Sequence, residues 1–176
     1  DLDDHIESEI FTPLAMNDSA VNPSDLPAEN PMASRYSFVD DQQVKYPLYS
    51  YPTKYDGAII SSAHDLANYL LTITNGGVLN NERILSQDSV DVMLSPQSDW
   101  VSDEYNEIGL FWNIVGSYIG HTGGDPGVDT LMLYNPSTDV GVVVLINSDG
   151  DGEAYDDAEE NVLAIYSALF RYGLGQ

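Results

Sequence analysis

The sequence contains no cysteine and few basic residues, and both absences narrow its possible functions. Without cysteine the chain can form no disulfide and can carry out no thiol chemistry. Only 5 residues are Lys or Arg against 29 that are Asp or Glu, which gives a formal net charge of −24 at pH 7. A chain of this charge repels phosphate groups, so nucleic acid and anionic membrane are excluded as partners.

Long apolar runs are missing as well. No apolar stretch approaches the roughly 18 residues that a membrane-spanning helix needs. The first residues, Asp1 to Asp4, are acidic where a signal peptide would be basic. We therefore expect no transmembrane helix and no signal peptide within these residues.

The composition is that of a folded protein with an acidic surface. The chain of 176 residues is 43% hydrophobic and 10% aromatic, so it can bury a core as a single unit, residues 1–176. Asp outnumbers Glu roughly two to one and lysine is nearly absent, a bias that resembles proteins from salty surroundings. Salt shortens the Debye length from about 10 Å at 0.1 M to about 3 Å at 1 M, so it is expected to screen the self-repulsion.

The first half of the sequence predicts helices on either side of a loop-rich excursion, residues 17–55. Prolines exclude regular structure from the start of this excursion, and loose alternation then indicates either a hairpin or an extended segment. Ser62 and Asp65 have the spacing of a helix capping box. The predicted elements are a helix over 2–11, a hairpin or extended segment over 33–51, a helix from Ala63 to about Thr74, and a helix that starts after Ser86 and runs to about Leu94.

The second half predicts an antiparallel sheet followed by a closing helix. The run Val142–Ile146 is apolar without alternation, which indicates a strand covered on both faces. The fold class is therefore α/β of the α+β type, an antiparallel sheet flanked by helices. The predicted strands are 108–115, 117–121, 128–134 and 140–147, and the helix over 154–172 is expected to bury Val162, Ile165, Tyr166 and Leu169.

A glycine-rich stretch from Tyr118 to Val128 is the most distinctive part of the sequence. It places His121 and four glycines between two apolar runs. This pattern is typical of a strand whose backbone is closely approached by another group, such as a ligand. His121-Thr122-Gly123-Gly124 with the following Pro126-Gly127 resembles the C-terminal half of the penicillin-recognising serine hydrolases. This family comprises class C β-lactamase-like enzymes and their D-aminopeptidase, carboxypeptidase and esterase relatives. Two further stretches, 10–16 and 56–66, resemble segments of the same family in the same order.

The resemblance implies roles for six residues. His121, Thr122 and Gly123 would form the family's third motif, where His121 and Thr122 contact a substrate carboxylate or the proton-transfer network. The backbone N–H of Gly124 would stabilise the oxyanion. Tyr55 and Gly57 are implied substrate-binding residues. The substrate would be a small molecule or peptide, without a cofactor or metal, in the periplasm or outside the cell. Histidine in place of the motif's lysine removes a fixed charge near neutral pH, which favours a peptidase or esterase over a true β-lactamase.

Two motifs of that family are absent. Neither Ser-x-x-Lys nor Tyr-x-Asn occurs, and the two lysines, Lys45 and Lys54, are preceded at the required spacing by Gln42 and Tyr51. The resemblance therefore implies the C-terminal part of an enzyme, beginning just after the second motif and inactive alone. In the family, the strand that matches 140–147 pairs with an N-terminal strand. An N-terminal half chain, or a dimer through this strand, is accordingly expected.

Three alternatives remain open. The chain could be a non-catalytic ligand-binding or assembly module that kept the fold, which an upstream sequence without the two motifs would favour. The tyrosines at 46, 49, 51 and 55 could line a pocket or lie half-buried beneath a loop. Residues 147–152 resemble the start of a calcium-binding EF-hand loop, but the twelfth position is Ala158 rather than Glu, so a glycine-rich turn is favoured and no metal site is predicted.

Overall fold

The computed structural model of the protein describes residues 1–40, 42–49, 54–97, 107–149 and 152–176, with side chains in the last range from residue 162 onward. The predicted N-terminal helix ends in one π-helical turn, and the predicted hairpin and the two following helices are confirmed. The elements are α1 (Leu2–Ile6), the π turn (Glu7–Phe11), a 3-10 turn (Pro23–Asp25), β1 (Arg35–Val39), β2 (Gln42–Tyr46), α2 (Lys54–Gly57), α3 (Ala63–Thr74), β3 (Val78–Leu79), β4 (Glu82–Arg83) and α4 (Gln87–Leu94).

The second half forms the predicted antiparallel sheet, so the fold class is confirmed. Five strands follow one another in the order β5-β6-β7-β8-β9, and each is antiparallel to its neighbours. A short strand after β9 pairs in parallel with β1 and attaches the hairpin to the end of the sheet. The elements are β5 (Glu107–Ile108), β6 (Asn113–Val115), β7 (Tyr118–Asp125), β8 (Val128–Asn135), β9 (Val140–Ile146), β10 (Ser148–Asp149) and α5 (Gly152–Gly173).

The sheet is covered by helices on both faces. One face packs against α3 and α4 through a core that contains Leu70, Ile73 and Trp112. The opposite face packs against α5 through Val142 and Phe170. Alternate residues of β9 enter these two cores, as expected for a strand covered on both sides. The prediction for Val142–Ile146 holds except at Leu145, which is 36% exposed.

The predicted strand over residues 108–115 is wrong. The chain turns between β5 and β6, where the Gly109 N–H donates to the Trp112 carbonyl at 2.8 Å and Phe111 has φ of 57°. The Leu110 N–H donates to the Met93 carbonyl of α4 at 2.9 Å. The apolar run therefore reflects a turn that packs against a helix, which alternation alone does not distinguish from a strand.

The predicted buried face of α5 is only half correct. Tyr166 and Phe170 face the sheet, where their rings lie 4.7 Å apart and both contact the ring of Tyr118. Ile165 and Leu169 are 45% and 40% exposed, although both were expected to be buried. The aromatic cluster sets the rotation of the helix, because the large rings fill the space against the sheet.

The sequence predicted that the strand ends at His121, but β7 extends beyond it. It continues through Thr122, Gly123 and Gly124 to Asp125, and each of these residues has a partner on β8. Thr130 of β8 lies over Gly123 and donates its hydroxyl to the Gly123 carbonyl at 3.2 Å. The glycines therefore belong to a paired strand and not to a loop.

A buried carboxylate joins α3 to the N-terminal segment. The Ser62 side chain caps α3 by accepting from the Asp65 N–H at 3.1 Å. The Asp65 side chain is turned inward, 1% exposed, and accepts from the Asp18 N–H and the Ser19 hydroxyl, both at 2.8 Å. The capping spacing thus marks the helix start correctly, while the carboxylate of Asp65 holds the first residues of the excursion. His64, in the first turn of the helix, is exposed.

Asp65→Ala should destabilise the protein by about 3 kcal/mol, because two buried donors would lose their acceptor. Asp65→Asn retains one side-chain oxygen at the same place and should cost clearly less. Urea unfolding followed by circular dichroism measures both values. Equal losses in the two variants would show that these hydrogen bonds do not determine the effect.

Candidate active-site cleft

An open cleft of about 1750 Å³ lies between the excursion and the end of the sheet. One wall is formed by the second half of β7 with β8 and the end of β9, and the other by the hairpin and α2. All six residues implied by the family resemblance line this cleft, namely His121, Thr122, Gly123, Gly124, Tyr55 and Gly57. The structure therefore brings together residues more than 60 positions apart in the sequence.

The wall at β7 exposes an unpaired strand edge. Strand β6 pairs with β7 only as far as Gly120, and no described strand continues beside residues 121–125 on that side. In an antiparallel pair, successive residues point their backbone groups alternately toward and away from the partner. Because Asp125 and Val128 close the hairpin with β8 as a bonded pair, the N–H groups of Thr122 and Gly124 face the open edge. The cleft thus offers backbone donors.

The side chains of β7 alternate in the opposite sense. His121 and Gly123 lie on the face that packs against α3, together with their partners Met132 and Thr130 on β8. The side chain of Thr122 belongs to the other face, since its partner Leu131 lies in the core beneath α5. The imidazole and the threonine hydroxyl therefore reach the cleft from different faces of the strand.

His121 is a half-buried histidine that lies against the ring of Trp112. Its ring lies 5.7 Å from that of Trp112, which is itself stacked 6.4 Å from Tyr69. Burial lowers the pKa of His121 below its ordinary value of 6.5, and a hydrogen bond with the backbone of Phe111 partly opposes this shift. The imidazole is consequently neutral at pH 7 and has one donor and one acceptor nitrogen.

A cluster of Arg35, Tyr49 and Asp125 lies at the far end of β7. The Arg35 guanidinium is 4.2 Å from the centre of the Tyr49 ring, a cation–π contact. Burial foremost, and Asp125 after it, raise the pKa of Tyr49 to about 12, and Arg35 opposes them. Sequence reasoning did not identify Arg35 or Asp125. Arg35 could have been noticed because it is one of only 5 basic residues.

Two hydrogen bonds fasten the hairpin above the cleft, and a third holds the turn between β7 and β8 beside it. The Tyr36 N–H donates to the Asn147 carbonyl at 3.0 Å, and the Asn147 amide donates to the Ser34 carbonyl at 2.9 Å. The Gly127 N–H donates to Asp149 at 2.7 Å. Of the EF-hand-like stretch, the first side chain, Asn147, thus holds the hairpin, and the third, Asp149, holds the turn between β7 and β8. Its residues 150 and 151 lie outside the described residues.

A second set of polar contacts holds Tyr55 in the cleft wall. Asp3 of α1 accepts from the Lys54 ammonium at 2.6 Å and from the Tyr55 hydroxyl at 2.7 Å. These two partners, Lys54 foremost, lower the pKa of Asp3 to about 2. Of the other tyrosines considered, Tyr49 lines the cleft, Tyr46 contacts the ring of Tyr49, and Tyr51 lies outside the described residues.

The described part of the chain holds neither a metal-binding cluster nor a membrane-spanning helix. There, no three His, Asp or Glu side chains come close enough together to hold a metal ion. None of the helices described combines the length and the apolarity that crossing a membrane requires.

Comparisons with known proteins agree on the fold. A family model described as Beta-lactamase matches residues 1–166. Similar solved structures include a D-amino acid amidase from Ochrobactrum anthropi SV3 complexed with L-phenylalanine amide, at 22% identity and a TM-score of 0.74 over 97% of this chain and 51% of that one. A penicillin-binding protein from Bacillus halodurans matches at 24% identity and a TM-score of 0.70, over 95% of this chain and 49% of that one.

A third similar structure is the octameric penicillin-binding protein homologue from Pyrococcus abyssi, at 24% identity and a TM-score of 0.69. That match covers 94% of this chain and 37% of the homologue. The chain therefore spans about half or less of the length of these three similar structures. No curated protein matches the sequence.

The lowered pKa of His121 predicts a pH-dependent stability. The unfolded chain binds a proton near pH 6.5 whereas the folded protein binds it only at lower pH, so protonation favours unfolding. The contribution of His121 to stability is present above pH 6.5 and is lost as the pH falls toward the folded pKa. His121→Gln should therefore lose less stability than the wild type between pH 7.5 and 5.5 in urea unfolding. Parallel curves for the two proteins would contradict the lowered pKa.

Proposed function

The chain belongs to the β-lactamase family, and on that premise we propose that it forms the substrate-bordering part of a serine hydrolase acting by acyl transfer on amide or ester substrates. The observation that carries the proposal is the open edge of β7 in the cleft, with two outward N–H groups beside His121. Acyl transfer requires a nucleophile, a base, and donors aimed at the developing oxyanion. The cleft offers candidates for the last two.

In this proposal each residue of the edge has one role. The Gly124 N–H donates to the oxyanion, and the backbone of Thr122 hydrogen-bonds an extended substrate along the open edge, much as an added strand would. His121 is neutral and serves the proton-transfer network as a hydrogen-bond acceptor. Tyr55 and Gly57 bound the substrate from the opposite wall. The absence of a fixed charge at His121 favours peptidase or esterase activity over true β-lactamase activity.

The nucleophile has to come from outside this chain. No Ser-x-x-Lys or Tyr-x-Asn occurs within the 176 residues. We propose that an upstream part or a separate chain supplies both motifs, and that the present chain alone does not turn over substrate. The absence of these two motifs also favours the alternative, in which the chain is a non-catalytic ligand-binding or assembly module. The acidic composition and the family suggest an extracellular or periplasmic protein from a salty environment.

The outer edge of β9 is the proposed attachment site for that missing part. No described strand pairs with it, and its middle is apolar. By the same alternation, the backbone groups of Gly141, Val143 and Leu145 face away from β8. An unpaired apolar edge of this kind invites pairing with another strand, either from an N-terminal half chain or from a second copy related by a two-fold axis.

The catalytic proposal predicts different effects for two substitutions at Gly124. In the enzyme completed with the part that carries Ser-x-x-Lys and Tyr-x-Asn, Gly124→Pro should lower kcat by about 100-fold or more, because it deletes one oxyanion donor. Gly124→Ala keeps the N–H, and its methyl would meet only ordinary contact, 3.5 Å from Asp129. It should therefore remain active on p-nitrophenyl acetate.

The chain alone is the control and should show no hydrolysis above a heat-denatured sample. Hydrolysis by the chain alone that a serine-directed inhibitor abolishes would contradict the proposed division of labour. A completed enzyme that is inactive in every variant would favour the non-catalytic module.

The proposed edge predicts association that depends on salt and on one backbone donor. Sedimentation should show the chain associating more strongly in about 1 M NaCl, where its net charge is screened. Val143→Pro removes an outward N–H and should abolish association, whereas Val143→Ala loses packing but keeps the donor and should associate. A monomer at every salt concentration, or an unchanged proline variant, would exclude β9 as the interface.

A further inference from the structure

Three hydrogen-bonded side chains lead from the cleft into the interior of the protein. The Ser61 hydroxyl lies 2.8 Å from the Ser19 hydroxyl, which donates to the Asp65 carboxylate at 2.8 Å. Burial increases along this relay, because Ser61 lines the cleft and is half-buried, whereas Ser19 is 7% exposed and Asp65 is 1% exposed. The relay therefore connects an interior carboxylate with the surface of the cleft.

The backbone holds the two serines of the relay opposite each other. Ala20 and Ile60 form an antiparallel bridge, in which each N–H donates to the carbonyl of the other residue at 2.9 Å. One position further along both segments, Ser19 and Ser61 are opposite each other as a non-hydrogen-bonded pair, the kind in which side chains come closest. The contact between the two hydroxyls is thus set by backbone pairing.

The buried carboxylate fixes the direction of the protons in the relay. One oxygen of Asp65 accepts from the Asp18 N–H and from the Ser19 hydroxyl, both at 2.8 Å. A hydroxyl has a single proton, so the Ser19 oxygen can only accept in its contact with Ser61. The proton of Ser61 therefore points inward, toward Ser19.

The other acceptor near the Ser61 hydroxyl does not compete for this proton. The Ser62 carbonyl lies 3.4 Å away, beyond the range of about 2.5–3.0 Å that is usual for an O–H···O bond. With the proton directed there, the two serine oxygens would face each other at 2.8 Å without a proton between them. The outer side of the Ser61 oxygen is consequently left with lone pairs, and it can only accept a hydrogen bond from a ligand.

The charge of the cleft favours a cationic donor as that ligand group. Of the two basic residues among the described residues that line the cleft, Lys54 is paired with Asp3 at 2.6 Å and Arg35 lies over the ring of Tyr49. A cleft lined mainly by one sign of charge concentrates ligands of the opposite sign. The acidic residues that line it are Asp18, Glu29, Asp56 and Asp125.

We propose that Ser61 is a specificity-determining residue, whose hydroxyl oxygen accepts a hydrogen bond from an ammonium group of the bound ligand. Ser19 is its positioning residue, because it holds the Ser61 proton away from the cleft. A serine with a free proton serves donors and acceptors alike, whereas this one serves donors only. The inference rests on the proposed binding of an amide or ester substrate in this cleft, and it adds that the substrate carries an amino group.

Two ligands that differ in one group test the proposal. L-phenylalanine amide carries an amino group, and 3-phenylpropanamide has a hydrogen in its place. Amino groups of this kind titrate at about pH 8, so the first ligand is mostly cationic at pH 7. NMR titration of the chain of 176 residues gives the Kd of each ligand, and the ratio of the two Kd values needs no catalysis.

The wild type should bind phenylalanine amide more tightly than the analogue. Ser61→Ala should weaken binding of phenylalanine amide by about tenfold or more, because it removes the acceptor of a charged donor, and should leave the analogue nearly unchanged. Ser19→Ala keeps the Ser61 hydroxyl but frees its proton, so the ratio should fall here too, without a loss of affinity for the analogue. Ser8→Ala removes an exposed hydroxyl outside the cleft and is the matched control.

A wild type without preference for phenylalanine amide would overturn the proposal. So would an unchanged ratio in Ser61→Ala, or an equal loss of affinity for both ligands, which would indicate a general packing role. An unchanged ratio in a folded Ser19→Ala variant would exclude the relay, and if that variant does not fold, Ser61→Ala alone decides the outcome. A completed enzyme that hydrolyses no substrate would leave these ratios as they are, so the two ideas can fail separately.

Discussion

Strand β7 is hydrogen-bonded on only one side over its second half, and this unequal pairing organises the cleft. On one side β8 pairs with every residue from Ile119 to Asp125. On the other side β6 stops at Gly120, because the chain before it has turned away toward α4. Two outward N–H groups and the imidazole of His121 are therefore presented by a rigid strand rather than by a loop. Rigid placement of this kind keeps the cost of ordering donors low when a ligand binds.

The other parts of the structure form the walls of the cleft around this edge of β7. The hairpin covers the cleft from above and is tied to the end of the sheet at Asn147 and Asp149. The ion pair between Asp3 and Lys54 holds α2, which carries Tyr55, on the opposite side. The buried Asp65 fixes the first residues of the excursion. Each of these contacts joins segments that are distant in sequence, so the cleft depends on the whole fold.

Local signals in the sequence were enough to predict the helices and most of the strands. Ser62 and Ser86 cap α3 and α4 at the predicted positions, and the strands β8 and β9 follow from apolar runs that end at turn residues. The failures have a common cause. The turn at Gly109 and the rotation of α5 are set by packing against distant residues, Met93 in the first case and Tyr118 in the second. Periodicity contains no information about such partners.

The candidate site could be predicted because the motif His121-Thr122-Gly123-Gly124 is contiguous, so it can be recognised in the sequence without knowledge of the fold. The cluster of Arg35, Tyr49 and Asp125 was not predictable, since the hairpin brings Arg35 and Tyr49 to the end of β7 from a distant part of the sequence. The family match and the similar solved structures establish the fold of this part. Its chemistry rests on the open edge.

Amide hydrogen exchange along β7 tests the open edge most directly. In the free protein the amides of His121 and Gly123, which are bonded to β8, should exchange slowly, and those of Thr122 and Gly124 should exchange fast. Saturation with an amide ligand such as L-phenylalanine amide should slow exchange at Thr122 and Gly124 and leave the other two unchanged. Slow exchange at Thr122 and Gly124 in the free protein would contradict the assignment of this edge as the substrate-binding edge. Unchanged exchange at these two amides when the ligand is bound would contradict it as well.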